Sequence, residues 1–196
     1  MTSKQFIKTH DSNVIELRKY LQLYHNARMV FDPTYPEVND GEEVHKDWTT
    51  FYGNVREHVP PTKAPRPRCK DFLMKGYVDA DHVDDMLMRR SRTGFLVLYL
   101  NIAPIYWLSK KQTNIETSTF GSEFIAMKHC CEYIRGLRYT LCMMGIPCED
   151  PSFIYGDNQS VLYNTTLLES KLKKKSNSIA YHFVREGAAM KEWLTG

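Results

Sequence analysis

The chain has 196 residues, 42% hydrophobic and 12% aromatic, enough for one buried core with at most a small appendage. Its 26 Lys and Arg against 23 Asp and Glu leave a net charge of only +3, which excludes the strongly basic class of nucleic-acid binder that charge alone identifies. The five cysteines, Cys69, Cys130, Cys131, Cys142 and Cys148, show no paired C-x-x-C spacing, so a zinc site is excluded and reduced thiols in an intracellular protein are expected. The N-terminus has no apolar run of signal-peptide length, and no window approaches the roughly 20 apolar residues of a membrane span. A soluble protein, not secreted and with no membrane partner, is expected.

Charge is unevenly spread. From Asp32 to Glu57 there are seven acids and two bases, whereas Arg89, Arg90, Arg92, Lys110 and Lys111 fall in a stretch, 89–111, that has no acid. Lys171, Lys173, Lys174 and Lys175 form a second basic cluster.

In chain order, residues 13–29 place Ile15, Leu17, Leu21 and Tyr24 near a 3.6-residue period, which predicts a short amphipathic helix that Pro33 and Pro36 end. An acidic, loop-like stretch runs to His58. Pro60, Pro61, Pro65 and Pro67 then crowd into eight residues, which predicts a stiff linker over 58–70 and a domain boundary near 70.

Phe72–Asp79, Gly94–Leu100 and Pro104–Ser109 are short aromatic and aliphatic runs between polar loops, which predicts three sequential strands in an antiparallel meander. Of the successive residues Tyr106 and Trp107, one must face the core, and Trp107 is assigned to it. A base-stacking role for either is the alternative.

From Thr119 to Met144, Phe124, Met127, Ile134, Leu137 and Leu141 recur at helical spacing, with a Ser/Thr cluster at 117–119 to cap the start and Gly145 to stop the end. Ser152–Gly156 reads as a fourth strand, and Asn158–Leu168 and Ile179–Lys191 as helices. The order is β-β-β-α-β-α-α.

Three carboxylates sit where this topology places strand ends and helix starts. Asp79 ends the first strand, Glu123 lies in the first turn of the long helix, and Asp157 follows the fourth strand. If strands one and four are neighbours, the three converge. Clustered carboxylates repel one another unless a cation neutralises them, and Mg²⁺ prefers hard oxygen ligands. A pair of such ions about 4 Å apart can serve phosphodiester hydrolysis. The spacing alone, 44 and 34 residues, is not specific.

The order of local motifs adds specificity. Tyr77-Val-Asp-Ala-Asp-His82, Arg90-Ser-Arg-Thr-Gly-Phe95, Trp107-Leu-Ser-Lys-Lys-Gln112, Gly121-Ser-Glu-Phe-Ile-Ala126 and Tyr155-Gly-Asp-Asn-Gln-Ser160 follow one another. This series resembles the ribonuclease H domain of copia-type retrotransposon Pol polyproteins over residues 72–190. The resemblance implies an α/β, ribonuclease H-like mixed sheet, an antiparallel meander plus a parallel strand, with helices. It implies Asp79, Glu123 and Asp157 as catalytic carboxylates that bind Mg²⁺, with Mn²⁺ as a substitute, and an RNA–DNA hybrid as substrate. Residues 19–36 resemble the stretch after the polymerase fingers and palm, so 1–57 is expected to be a remnant of the reverse transcriptase thumb and connection. The rest of a Pol polyprotein is the partner this implies.

Around the acids, Arg89, Arg90, Arg92, Lys110, Lys111, Gln112 and Asn158 are the candidate nucleic-acid contacts, since guanidinium groups pair bidentately with phosphate. The bland alternative is a set of solvated loop residues. Asp81, Asp84 and Asp85 are weaker candidates for metal ligation. His82 and His182 are candidate proton shuttles, with structural roles as the alternative.

The sequence departs from the family at Ser176, Asn177 and Ser178, where the common form has His-Ile-Asp. Residues 71–196 are expected to lack the family's last strand and last helix, with its fourth acid, and hence to show little or no hydrolysis. A non-catalytic nucleic-acid-binding module, or an inert relic of a truncated element, is the alternative reading.

Overall fold

The computed structural model describes residues 15–16, 18–28, 32, 34, 46–57, 61–69, 71–85, 88–100, 103–172 and 175–196, with the backbone alone at 83–85. It divides into two compact units, Met1–Val30 and Phe31–Gly196. In the first, residues 18–23 are helical, as the periodicity predicts, and Ile15, Leu21 and Tyr24 are exposed.

The second unit holds helix α1 (Thr49–Tyr52), strands β1 (Met74–Asp85), β2 (Arg90–Tyr99) and β3 (Ala103–Lys111), helix α2 (Thr119–Met143), strand β4 (Ser152–Gly156), helices α3 (Gln159–Thr166) and α4 (Ser178–Ala189), and strand β5 (Trp193–Thr195). The sheet order is β3-β2-β1-β4-β5. β1, β2 and β3 pair antiparallel, whereas β4 joins β1, and β5 joins β4, in parallel. This is the antiparallel meander with a parallel fourth strand that the resemblance implies.

One expectation is corrected here. A fifth strand is present, its Trp193 fully buried and its indole N–H donating to Val184 O at 2.9 Å. At three residues it is too short to show an alternating pattern, and its pairing with Ser152, Phe153 and Ile154 places it.

The linker is also drawn differently. Arg68 N–H donates to Gly145 O at 2.8 Å and Phe72 N–H to Pro147 O at 3.0 Å, so part of the proline-rich stretch lies against the chain that leaves α2. Backbone hydrogen bonds to a distant loop are invisible to proline spacing.

Helix α2 starts and stops as its ends dictate. Ser118 Oγ accepts from Gly121 N–H at 3.2 Å, and Gly145 takes φ +79°, a left-handed conformation that terminates the helix. Its apolar stripe, with Phe124, Met127, Cys130 and Ile134 all buried, lies on β1. Gly76 permits the approach, because a Cβ there would meet Cys130 Sγ at 2.8 Å. The closeness of helix and strand is what brings a residue near the helix start to the middle of β1.

The strand assignment at 106–107 is reversed. Tyr106 is the core-side residue, its ring 3.9 Å from Tyr133 and 5.8 Å from Phe95, while Trp107 is 66% exposed. Strand alternation allows either phase, and α2 covers the face to which Tyr106 points.

Candidate metal centre

Asp79 stands in β1 and Asp157 one residue beyond β4. The parallel register sets Val78 against Gly156, so the two aspartates occupy the next step of the same pairing. Glu123 is the fifth residue of α2, just past the first turn in which it was expected. One carboxylate oxygen from each of the three lies within 4.8 Å of the others. Asp79 and Asp157 are exposed and Glu123 is half-buried.

Electrostatics follow from this convergence. Burial, and then the charges of Asp157 and Asp79, push the Glu123 carboxyl up to about 7, against a lowering contribution from the Ala80 backbone N–H. Three acids at this separation suit a divalent cation. The donor set is hard oxygen only, one side opens to solvent, and a 2+ charge would offset the repulsion among the three. Among the described residues these are the acids that the fold gathers into such a group. Asp81 is exposed and outside it, and the side chains of Asp84 and Asp85 lie outside the described residues.

The basic candidates flank this centre. Across the sheet, Asp79 is in register with Gly94 and Asp81 with Arg92, and Arg92 with Lys111. Arg89, Lys110 and Lys111 are exposed, Arg90 and Arg92 half-buried. Of the second basic cluster, Lys171 and Lys175 are exposed, and 173–174 lie outside the described residues.

Two candidates have other work. Gln112 is 4% exposed, which corrects its assignment as a surface contact for nucleic acid; its side-chain amide donates to Thr93 Oγ1 and Ser122 O. Asn158 caps α3, Oδ1 accepting from Ser160 and Val161 N–H at 3.1 and 3.3 Å. A Gln after two lysines at a strand end carries no signal of burial in sequence.

His82 Nδ1 lies 3.2 Å from Ser91 Oγ and 3.3 Å from Ser122 Oγ, packed beside the helix start. His182 Nδ1 lies 3.0 Å from the Tyr52 hydroxyl. Both contacts suit structural roles. The polar group of His82, Ser91 and Ser122 has no spacing signature, because its members come from β1, β2 and α2.

All five cysteines are free thiols. Among the described residues, no helix is long and apolar enough to cross a membrane.

No family model matches the chain. It is 31% identical over 144 residues to the retrovirus-related Pol polyprotein from transposon RE2 of Arabidopsis thaliana, covering 70% of this chain and 10% of that protein. To the corresponding polyprotein from transposon TNT 1-94 of Nicotiana tabacum it is 31% identical over 116 residues, 59% of this chain and 9% of that one. The chain thus spans about a tenth of the length of these curated relatives.

Among solved structures it is similar to RNase H1 from the archaeon Halobacterium salinarum NRC-1, at 12% identity and a TM-score of 0.43 over 63% of this chain and 80% of that one. LC11-RNase H1 in complex with an RNA/DNA hybrid aligns at 10% identity and a TM-score of 0.46, over 63% and 83%. Over its matched stretch, the chain is a homologue of the copia-type retrovirus-related Pol polyproteins, and its five-stranded mixed sheet has the ribonuclease H-like arrangement.

Proposed function

We propose that the unit hydrolyses the RNA strand of an RNA–DNA hybrid, with Asp79, Glu123 and Asp157 holding Mg²⁺, or Mn²⁺ in its place. The observation that carries this reading is the convergence of three carboxylate oxygens within 4.8 Å where β1 runs past the end of β4. Bound divalent cations there would supply activation of a water and neutralisation of charge at the phosphodiester.

The chain's own residues do the rest. The two aspartates offer oxygens to solvent, and Glu123 closes the set from the helix side. Arg89, Arg92, Lys110 and Lys111, on the neighbouring strand ends, hold phosphates of the duplex on either side of the cleaved bond. RNA would be told from DNA by shape and 2′-hydroxyl contacts across the shallow minor groove. Residues 1–57 are read as a remnant of the thumb and connection, with the rest of a Pol polyprotein as partner. The thiols fit an intracellular setting.

Cleavage of a labelled RNA–DNA hybrid with Mg²⁺ or Mn²⁺, by this chain and by Asp79→Asn, tests the reading. Hydrolysis that the substitution abolishes supports the reading, against the little or no hydrolysis expected from the sequence. Salt-sensitive binding without cleavage by a cooperatively folded protein would instead identify a non-catalytic nucleic-acid-binding module.

A further inference from the structure

We infer that Gln112 is a positioning residue for the metal centre: its buried side-chain amide ties the start of α2 to β2 and so sets the distance between Glu123 and Asp79. The inference rests on the metal-centre reading of the three carboxylates.

The geometry is a closed circuit. The two N–H bonds of the Gln112 amide go to Thr93 Oγ1 at 3.0 Å and Ser122 O at 2.9 Å. Thr93, itself 2% exposed, lies in register with Ala80, and Ala80 follows Asp79. Ser122 precedes Glu123. On the other side, one Glu123 carboxylate oxygen lies within 4.8 Å of an Asp79 oxygen. The amide therefore joins sheet and helix at the level of the carboxylates, beside the Ser122 Oγ contact with His82 Nδ1 at 3.3 Å. Without the amide, the Ser122 Oγ contact with His82 Nδ1 and the packing of α2 on β1 are what hold the helix start to the sheet.

The orientation of the amide is forced. Ser122 O can only accept, so the nitrogen, not the oxygen, must face it. Gln112 Oε1 is then left buried with no hydrogen-bond partner among the described residues. A buried acceptor without a partner costs about 1–3 kcal/mol. An apolar side chain of the same length would avoid that cost but would lose both donated bonds, so on stability alone the two side chains are close. The backbone of Gln112 is anchored separately, its N–H donating to Ser91 O at 2.8 Å. A side-chain change therefore leaves the end of β3 in place.

The test is Mn²⁺ binding, by calorimetry or electron paramagnetic resonance, to the full chain, to Gln112→Met and to Ile134→Ala. The last is a core truncation elsewhere on α2, where Ile134 is fully buried. Loss of a residue that orients a ligand typically weakens metal binding 10–100-fold. A loss of on the order of tenfold or more is expected for Gln112→Met, with the affinity of Ile134→Ala retained at a comparable or lower melting temperature. Equal affinity in Gln112→Met and the unsubstituted chain overturns the positioning role and leaves the metal centre standing. Equal weakening in Ile134→Ala also overturns it, because general loosening would then suffice. Absence of Mn²⁺ binding by the unsubstituted chain overturns the metal centre and this role together. Should Gln112→Met not fold, Thr93→Val frees one N–H of the same amide; a smaller loss of affinity supports the role, and no loss overturns it.

Discussion

Glu57 holds Arg138 by two parallel hydrogen bonds, Nε to Oε1 at 2.6 Å and Nη2 to Oε2 at 2.8 Å. Arg138 is 1% exposed and also donates to Cys148 O, Asp150 O and Ser152 Oγ. The pair ties the segment before the prolines to the far end of α2 and to the entry of β4.

Removing the carboxylate leaves a buried guanidinium charge without its counter-ion. Glu57→Ala is expected to destabilise the unit by about 2 kcal/mol, less than the 3–5 kcal/mol of a fully buried pair because the Glu57 side chain is one-third exposed. Urea unfolding followed by circular dichroism measures it. A midpoint equal to that of the unsubstituted chain would show that residues 46–57 are not part of the cooperative unit.

Glu123 makes stability depend on pH in a defined direction. Its carboxyl is pushed from an ordinary value of 4.5 up to about 7 by burial and by the charges of Asp157 and Asp79. Over that interval the folded chain binds more protons than the unfolded one, so stability falls as pH rises from about 4.5 to 7 in the absence of divalent metal. Glu123→Gln is expected to flatten this part of the profile, and Mn²⁺ to offset the loss at the upper end. Thermal melts in EDTA across this range decide it; a slope that survives Glu123→Gln would assign the dependence to other groups.

Tyr106 and Trp107 are expected to exchange the roles that their sizes suggest. Trp107→Ala should change unfolding free energy by no more than about 0.5 kcal/mol, as for an exposed site. Tyr106→Ala, which removes a ring stacked on Tyr133, should cost about 2 kcal/mol or more. Acrylamide quenching gives an independent reading, since Trp107 is exposed and Trp193 fully buried. A smaller quenchable fraction in Trp107→Phe, with the half-buried Trp48 supplying what remains, is the expected result.

Lys110 and Lys111 can be tested as phosphate contacts through salt. Each lysine that neutralises a phosphate adds about one unit to the slope of log affinity against log salt. Lys110→Gln and Lys111→Gln are therefore each expected to reduce that slope by about one for an RNA–DNA hybrid, with little dependence on its sequence. An unchanged slope in both would make them solvated turn residues.

Much of the fold was legible in the chain because it is written in local chemistry. Ser118 and Gly145 mark the ends of α2, and the spacing of Phe124, Met127 and Ile134 marks its inner face. The runs around Val78, Val97 and Ile154 mark the strands. The acidic triad was legible for a different reason: the ordered motifs around Asp79, Glu123 and Asp157 carry a family resemblance, although Asp79 does not end its strand as expected, since β1 runs on to Asp85.

What the tertiary structure alone decided depends on contacts between residues distant in sequence. Alternation says that Tyr106 and Trp107 face opposite ways, but only the placement of α2 over one face makes Tyr106 the inner residue. Lysines around Gln112 suggested a wet surface, yet the approach of α2 to β1 at Gly76 closes over its amide. Three residues at Trp193–Thr195 are too few to carry a pattern, and β4 makes them a strand by supplying the hydrogen bonds. The sequence by itself determined which residues could meet at a metal; the convergence of their oxygens came from the parallel pairing of β1 with β4 and the packing of α2 on β1, because such distances are fixed by packing and not by spacing along the chain.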